Sequence, residues 1–145
     1  MPKKLSIGTW AYAFGPYQNN PVPFDAVVRR LGELGYDGVE IGAFKPHIHP
    51  DDYPMDRDRE KVRNLIRANG LEVSGMAADF WCAPGPGSDE AQKDDAYLKL
   101  FKKNLQLAMD LGAPSIRVDT VSPPEGPKGV DRKTAVRRIA TLWKA

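Results

Sequence analysis

The chain has 145 residues, 41% of them hydrophobic and 28% charged, which suits one globular domain with room for a core and excludes a disordered chain. Its 21 basic and 19 acidic side chains leave a formal net charge of +2, too small to mark a nucleic-acid-binding surface without a clustered basic face. A single cysteine, Cys82, excludes an internal disulfide framework and fits a reducing compartment, and without an apolar leader or a long apolar run the expectation is a cytoplasmic protein with no membrane partner.

Taken in chain order, the elements alternate. Leu5, Ile7 and Thr9 alternate with Ser6, Gly8 and Trp10, the period of a strand that ends near Trp10. Phe24, Val27, Val28, Leu31 and Leu34 recur at helical spacing, with Gly35 at the position of a C-terminal cap. Gly38-Val39-Glu40-Ile41 reads as a short second strand. A polar loop follows, then a helix over 57–69 with Val62, Leu65 and Ile66 as its apolar stripe and Gly70 as its stop. Residues 71–76 form a third strand. After the Pro/Gly-rich stretch Ala83-Pro84-Gly85-Pro86-Gly87, a helix over 90–111 presents Tyr97, Leu98, Phe101, Leu105 and Ala108, and Gly112 ends it. Residues 115–119 form a fourth strand. Asp131 is placed to cap a last helix with Val136, Ile139, Ala140 and Trp143 on its inner face.

Strand starts recur at intervals of roughly 33, 33 and 44 residues, the size of one βα unit. A helix between successive strands supplies the crossover that parallel pairing requires, so the fold class is α/β, with the strand C-termini on one edge. Four such units over residues 1–145 are half of an eight-unit (β/α)8 barrel, which needs about 250 residues. The last helix has no glycine or asparagine stop after Trp143. The expectation is therefore an N-terminal half-barrel, either truncated or self-associating. Its two open edges would be closed by a homodimer or by a missing C-terminal half.

Function is expected on the edge where the strands end. Val39 and Ile41 share one face of the second strand and Glu40 takes the other; in the fourth, Ile116 and Val118 oppose Arg117 and Asp119. Helices cover the apolar face, so the charged set points into the barrel interior. There it serves as a structural Glu40–Arg117 ion pair or as a contact to a polar substrate or a metal-bound water network, unless it is a surface accident. Trp10, Tyr12 and Phe14 follow the first strand, and Phe80 and Trp81 the third. Aromatic faces beside hydrogen-bonding groups suit a sugar, though they equally plug a mouth or build an oligomer interface. Asp79 and Asp119 are candidate hydroxyl acceptors or acid/base groups, or else loop caps. His47-Ile48-His49 is a weak metal-ligand pattern, and a mobile lid loop over the site is expected in its place. Cys82 reads as a small buried residue. No dinucleotide fingerprint, P-loop or nucleophile elbow occurs.

The segments Ile7-Gly8-Thr9-Trp10, Leu34-Gly35-Tyr36-Asp37-Gly38-Val39-Glu40-Ile41, 105–112 and Pro114-Ser115-Ile116-Arg117-Val118-Asp119-Thr120-Val121 resemble the sugar phosphate isomerase/epimerase group of the xylose isomerase-like TIM barrels. The similarity covers the N-terminal half of that domain. It implies a TIM barrel in which a divalent metal, manganese or magnesium, assists proton transfer between adjacent carbons of a sugar or cyclitol. The metal ligands it implies lie on later strands and map onto no residue here, so the isolated piece is expected to be inactive. What carries over is a substrate-facing role for Trp10, Tyr12, Glu40, Asp79, Trp81, Arg117 and Asp119. Alternatives are a metal-dependent abasic-site endonuclease, disfavoured by the absence of a zinc-type His at the third strand end, and a non-catalytic half-barrel that self-associates.

Overall fold

The computed structural model describes residues 3–80, 91–118, 131–142 and 144, the side chains of 91–94 and 138 excepted. Four strands alternate with four helices: β1 (Ser6–Gly8), α1 (Phe24–Glu33), β2 (Gly38–Ala43), α2 (Asp56–Ala68), β3 (Glu72–Ala78), α3 (Ala91–Leu111), β4 (Ile116–Arg117) and α4 (Arg132–Leu142). The strands form one parallel sheet in the order β1-β2-β3-β4, the predicted arrangement for half of a (β/α)8 barrel. The chain divides into two compact units, Met1–Asp79 with Asn104–Arg117, and Phe80–Lys103 with Val118–Ala145. The whole sheet belongs to the first. No helix among the described residues is long and apolar enough to cross a membrane. Cys82, the 83–87 stretch and Trp143 lie outside the described residues.

Three helices end on the same device. Gly35, Gly70 and Gly112 have φ of 77°, 74° and 72°, a region that only glycine enters without strain. In each case the next residue's N–H reaches back to the helix: Tyr36 to the Leu31 carbonyl at 3.1 Å, Leu71 to Ile66 at 3.2 Å and Ala113 to Ala108 at 2.9 Å. This six-residue closure satisfies carbonyls that the helix itself leaves unpaired and aims the chain into the next strand. The terse helix-to-strand turns read from the sequence are these three caps. At α4 the predicted cap is also present: Asp131 Oδ1 accepts the N–H groups of Lys133 and Thr134 at 3.0 and 3.1 Å. The Thr134 hydroxyl, which donates to Oδ2 at 2.5 Å, and with it these backbone N–H groups hold the carboxyl below the usual carboxylate range.

The core lies between the sheet and the helices. Val39 and Ile41 are fully buried among Val27, Val28 and Leu31 of α1, Val62 and Ile66 of α2, and Leu107, Ala108 and Leu111 of α3. Each such aliphatic side chain contributes about 1.5–3 kcal/mol relative to exposure. Glu40, between two buried neighbours, takes the opposite face of β2. A bulge in β3 adjusts its parity: Val39 pairs with Val73 but Glu40 pairs with Gly75, leaving Ser74 without a partner in the ladder. The Ser74 hydroxyl instead bonds that of Ser6 at 2.6 Å.

Three sequence expectations need correction. The first strand ends at Gly8 rather than Trp10, because Thr9–Tyr12 turns into a 3-10 segment whose Thr9 hydroxyl accepts the Gly42 N–H at 2.9 Å. On α3, Leu105 is 38% exposed whereas Tyr97, Asn104, Ala108 and Leu111 are buried. Those four and the fully buried Leu107 make up the buried stripe, and Leu105 sits one residue, or about 100°, from Asn104. On α4 the buried line is Ala135 with the half-buried Ile139 and Leu142, while Val136 and Ala140 are exposed. Around the start of the second unit, Phe80 packs against Tyr97 and Phe101 at ring separations of 4.8 and 6.2 Å.

α1 and α2 approach closely at Gly32, where a Cβ would overlap the carbonyl oxygen of Asn69. That oxygen is backbone at the end of α2 and has little freedom to move. Gly32→Ala is expected to force the two helices apart and to cost about 1–3 kcal/mol, despite alanine's better helix propensity. Urea unfolding followed by circular dichroism checks this; an unchanged or raised midpoint would show that the helices accommodate the methyl group.

Candidate functional site

The site is built from the middle of β2 and the residues that end β1 and β4. Trp10 follows β1 by two residues and folds back over it, its indole lying where a Gly8 Cβ would be. The indole N–H then donates to Glu40 Oε2 on β2 at 2.7 Å. Arg117 on β4 reaches the same oxygen, with Nη1 at 3.6 Å, and its Cζ stands 5.6 Å from the centroid of the Trp10 ring. Three elements distant in sequence thus converge on one carboxylate. Between β2 and β4, β3 contributes Gly75, where a Cβ would crowd the Ser115 hydroxyl at 3.1 Å and reach ordinary contact with Glu40 Cγ at 4.0 Å.

The side chains of Arg117 and Glu40 are 47% and 25% exposed, so solvent screens their attraction and the pair adds at most about 1 kcal/mol to stability. Its consequence is orientation. A tryptophan N–H and a guanidinium on one carboxylate oxygen fix the rotamer and leave the other oxygen, Oε1, for a further donor. The cation over the indole face is held by the ring quadrupole as well as by charge.

Aromatic side chains continue from this group. Phe14 and Phe44 pack at 4.9 Å, and the Phe44 ring occupies the space over Gly42 as Trp10 does over Gly8. Tyr12 and Tyr17 rings lie 6.0 Å apart. Tyr12 is half-buried against the core, and burial pushes its phenol above the ordinary range. Trp10, Phe14 and Tyr17 remain 36%, 47% and 39% exposed, a set of apolar faces that a monomer interior does not account for.

Of the residues singled out by sequence, Trp10, Glu40 and Arg117 are therefore brought into contact, and Tyr12 lies on the same loop. Asp79 is half-buried just beyond β3. Trp81 and Asp119 lie outside the described residues. His47 and His49 are held separately: His47 is buried and its Nε2–H donates to the Val22 carbonyl at 3.0 Å, whereas His49 Nδ1 accepts the Asp51 N–H at 3.2 Å. With His47, Ile48 and Pro50 all buried, this segment is packed structure rather than an open lid. Among the described residues no three His, Cys, Asp or Glu side chains gather as a metal-binding set, so these residues do not fit the divalent metal that the resemblance implies. Thr9, Gly8, Gly42 and Phe44 escaped the sequence reading. The Gly-x-Trp spacing at Gly8 and the Gly-x-Phe spacing at Gly42 are the signals that could have found them.

A separate cavity of about 800 Å³ lies between the N-terminal ends of α1 and α2, lined by Pro21, Pro23, Phe24, Tyr53, Lys61 and Leu65 among others. It shares no residue with the Trp10–Glu40–Arg117 group. Its two lysine and aspartate charges from α2 are paired with each other, Lys61 to Asp58 at 2.8 Å.

Residues 28–145 match the sequence profile of the xylose isomerase-like TIM barrel family. No curated protein is a significant sequence match. Among solved structures, a D-psicose 3-epimerase in the presence of D-fructose superposes with a TM-score of 0.66 at 18% identity, over 97% of this chain and 46% of that one. The D-psicose 3-epimerase of Clostridium cellulolyticum H10 with D-tagatose gives 0.62 at 16% identity, over 98% and 48%. A probable 3-DHS dehydratase, AsbF, of Bacillus anthracis gives 0.61 at 18% identity, over 98% and 47%. The chain thus spans about half the length of the structures it matches.

Proposed function

The chain belongs to the xylose isomerase-like TIM barrel family, and from that premise we propose that it supplies the first four strands of a sugar or cyclitol isomerase or epimerase, with its strand ends shaping the substrate pocket. The observation that carries this reading is the convergence of Trp10, Glu40 and Arg117 on the sheet face away from the helices. A polyol has weakly apolar C–H faces and many hydroxyl donors. Exposed aromatic faces beside an oriented carboxylate match both. Two of the solved structures that share this fold are D-psicose 3-epimerases, one in the presence of D-fructose and one with D-tagatose.

In this reading Trp10 and Tyr12 offer ring faces, Glu40 accepts a hydroxyl proton in a hydrogen bond, and Arg117 holds Glu40 and donates to a carbonyl or hydroxyl oxygen. Substrate-facing roles are assigned to Asp79, Trp81 and Asp119 as well. Proton transfer between adjacent carbons belongs to the complete barrel, to which this chain contributes four strands; the isolated chain is expected to be inactive. Manganese or magnesium is the cofactor expected for that barrel, held by groups other than the described ones, and a cytoplasmic location accompanies the reading.

The test is exchange chemistry. Incubating the full-length protein with a panel of ketoses and cyclitol ketones in D2O is expected to introduce deuterium at the carbon beside the carbonyl, seen by proton NMR. Neither binding nor exchange across the panel would overturn the assignment.

A further inference from the structure

On the edge of the sheet where the strands begin, a smaller cavity of about 350 Å³ lies between α2, the start of β3 and the end of α3. Its floor is apolar, made by Ile66 of α2, Leu71 and Val73 at the start of β3, and Leu111 of α3. The charged groups in its lining are Arg63 and Arg67 on α2 and Glu72 on β3. None of these residues belongs to the Trp10–Glu40–Arg117 group at the other edge.

The two arginines stand at i and i+4, so they are neighbours on one helix face. Helix side chains lean toward the N-terminus, which tips Arg67 back toward Arg63. The Arg63 guanidinium is located by its bond: Nη1 donates to the Asp110 backbone carbonyl on α3, beside Leu111 in the wall. Its remaining N–H groups are uncommitted to any carboxylate among the described residues. The Arg67 guanidinium has neither a hydrogen bond nor an ion pair among those residues. The nearby carboxylates are taken. Glu72 is held by Lys4 at 2.5 Å, and Asp110 by Arg59 and Gln106. Glu60, one turn before Arg63, is exposed and stands outside the lining. Two like charges at this spacing repel, and no described side chain neutralises them.

A doubly charged oxyanion answers this arrangement. A guanidinium offers paired N–H groups in a planar fork that matches phosphate oxygens, and two guanidiniums match the charge of a phosphate dianion where a monocarboxylate would satisfy one. The volume falls at the lower end of small-molecule pockets, which run from about 300 Å³, and the apolar floor suits the carbon body of an ester. We propose that Arg63 and Arg67 form a phosphate-binding site remote from the mouth, taking inorganic phosphate or a small phosphate ester and tying α2 to the turn between α3 and β4. The site is independent of what binds at the mouth.

Calorimetry and thermal unfolding of the full-length protein test this, with inorganic phosphate and phenyl phosphate compared against sodium chloride at equal ionic strength. Both phosphates are expected to bind and to raise the unfolding midpoint with concentration, as any ligand of the folded state does, and chloride to do neither. Tighter binding of phenyl phosphate would assign the floor to the body of an ester, and tighter binding of inorganic phosphate would assign the site to the free ion. Arg67→Gln removes a charge that has no partner to lose. Its midpoint without phosphate is expected to change little, while its phosphate affinity falls about tenfold or more. Arg67→Lys keeps a cation at the end of α2 without the fork and is expected to lose most of the affinity too; full affinity in that variant would overturn recognition by the guanidinium. Absence of phosphate binding, equal midpoints in phosphate and chloride, or an affinity unchanged in Arg67→Gln would overturn the site. Ketose exchange at the mouth is a separate readout, so any of these failures leaves the sugar reading standing.

Discussion

Replacing Arg59 with alanine is expected to destabilise the first unit by about 3–5 kcal/mol, the cost of breaking a buried ion pair by removing one partner. Arg59 lies on the α2 stripe that faces the core, and its side chain is only 10% exposed. Its Nε donates to the Tyr53 carbonyl at 2.8 Å, and its guanidinium pairs with Asp110 on α3. Arg63, one turn on, donates to the Asp110 backbone carbonyl, and Gln106 donates to the other Asp110 carboxylate oxygen at 3.0 Å. Truncating Arg59 leaves Asp110, 23% exposed, with one neutral side-chain partner, and frees the Tyr53 carbonyl that ends the loop before α2. Arg59→Met is expected to cost less than Arg59→Ala, since it keeps the apolar stem that packs beside α3. Urea denaturation of both variants measures the difference. A loss below about 1 kcal/mol for alanine would place the pair with screened surface bridges and remove it as the lock between α2 and α3.

This lock also shows where sequence reading stops. Arg59 belongs to the run Asp56-Arg57-Asp58-Arg59-Glu60-Lys61, which by composition is a solvated helix start. Its spacing from Val62 and Ile66 puts Arg59 and not Arg57 on the buried stripe, but only the arrival of α3, some fifty residues later, supplies the carboxylate that pairs with it. The strands and helix ends were legible because their causes are local. Glycine at a positive-φ cap and alternation along β2 both act within a few residues, and Glu40 could be assigned to the inner face from parity alone. The Glu40–Arg117 encounter was legible for the same reason, since parity puts both on one face of a parallel sheet. The part played by Trp10 was not. Alternation carried the first strand through to Trp10, but the Thr9 hydroxyl satisfies the Gly42 N–H, bending the chain so that the indole returns over Gly8. Leu105 failed differently: its hydrophobicity placed it inward, while the polar Asn104 holds the buried position on α3. Periodicity ranks side chains by type, and a helix that buries one amide shifts the stripe by a residue.

Acid is expected to loosen the first unit through His47. The imidazole is 2% exposed; Nε2–H donates to the Val22 carbonyl at 3.0 Å, and Nδ1 is buried with no partner among the described residues. The Phe24 ring stands edge-on at 6.0 Å. On its own loop the nearby charges are Lys45 and Asp52, paired at 2.9 Å, together with His49 and Asp51. From the α1 side they are Asp25, bridged to Arg29 at 3.1 Å, and the phenol of Tyr12. Burial pushes the imidazole below its ordinary range, and the Val22 bond opposes this only in part. Protonation would put a second N–H at Nδ1, where no acceptor waits. The folded form therefore titrates below the unfolded one, whose imidazole takes up its proton near about pH 6.5. Below that value the unfolded chain binds more protons than the native one, so stability falls as pH falls, by at most about 1.4 kcal/mol per pH unit from this group. His47→Gln keeps a donor for Val22 and cannot titrate. Its unfolding free energy is expected to vary less than that of the wild type between about pH 7 and pH 5. Parallel curves for the two proteins would show that the buried imidazole takes its proton without cost, and with it that Val22 and the β2–α2 loop are not held together by the neutral ring.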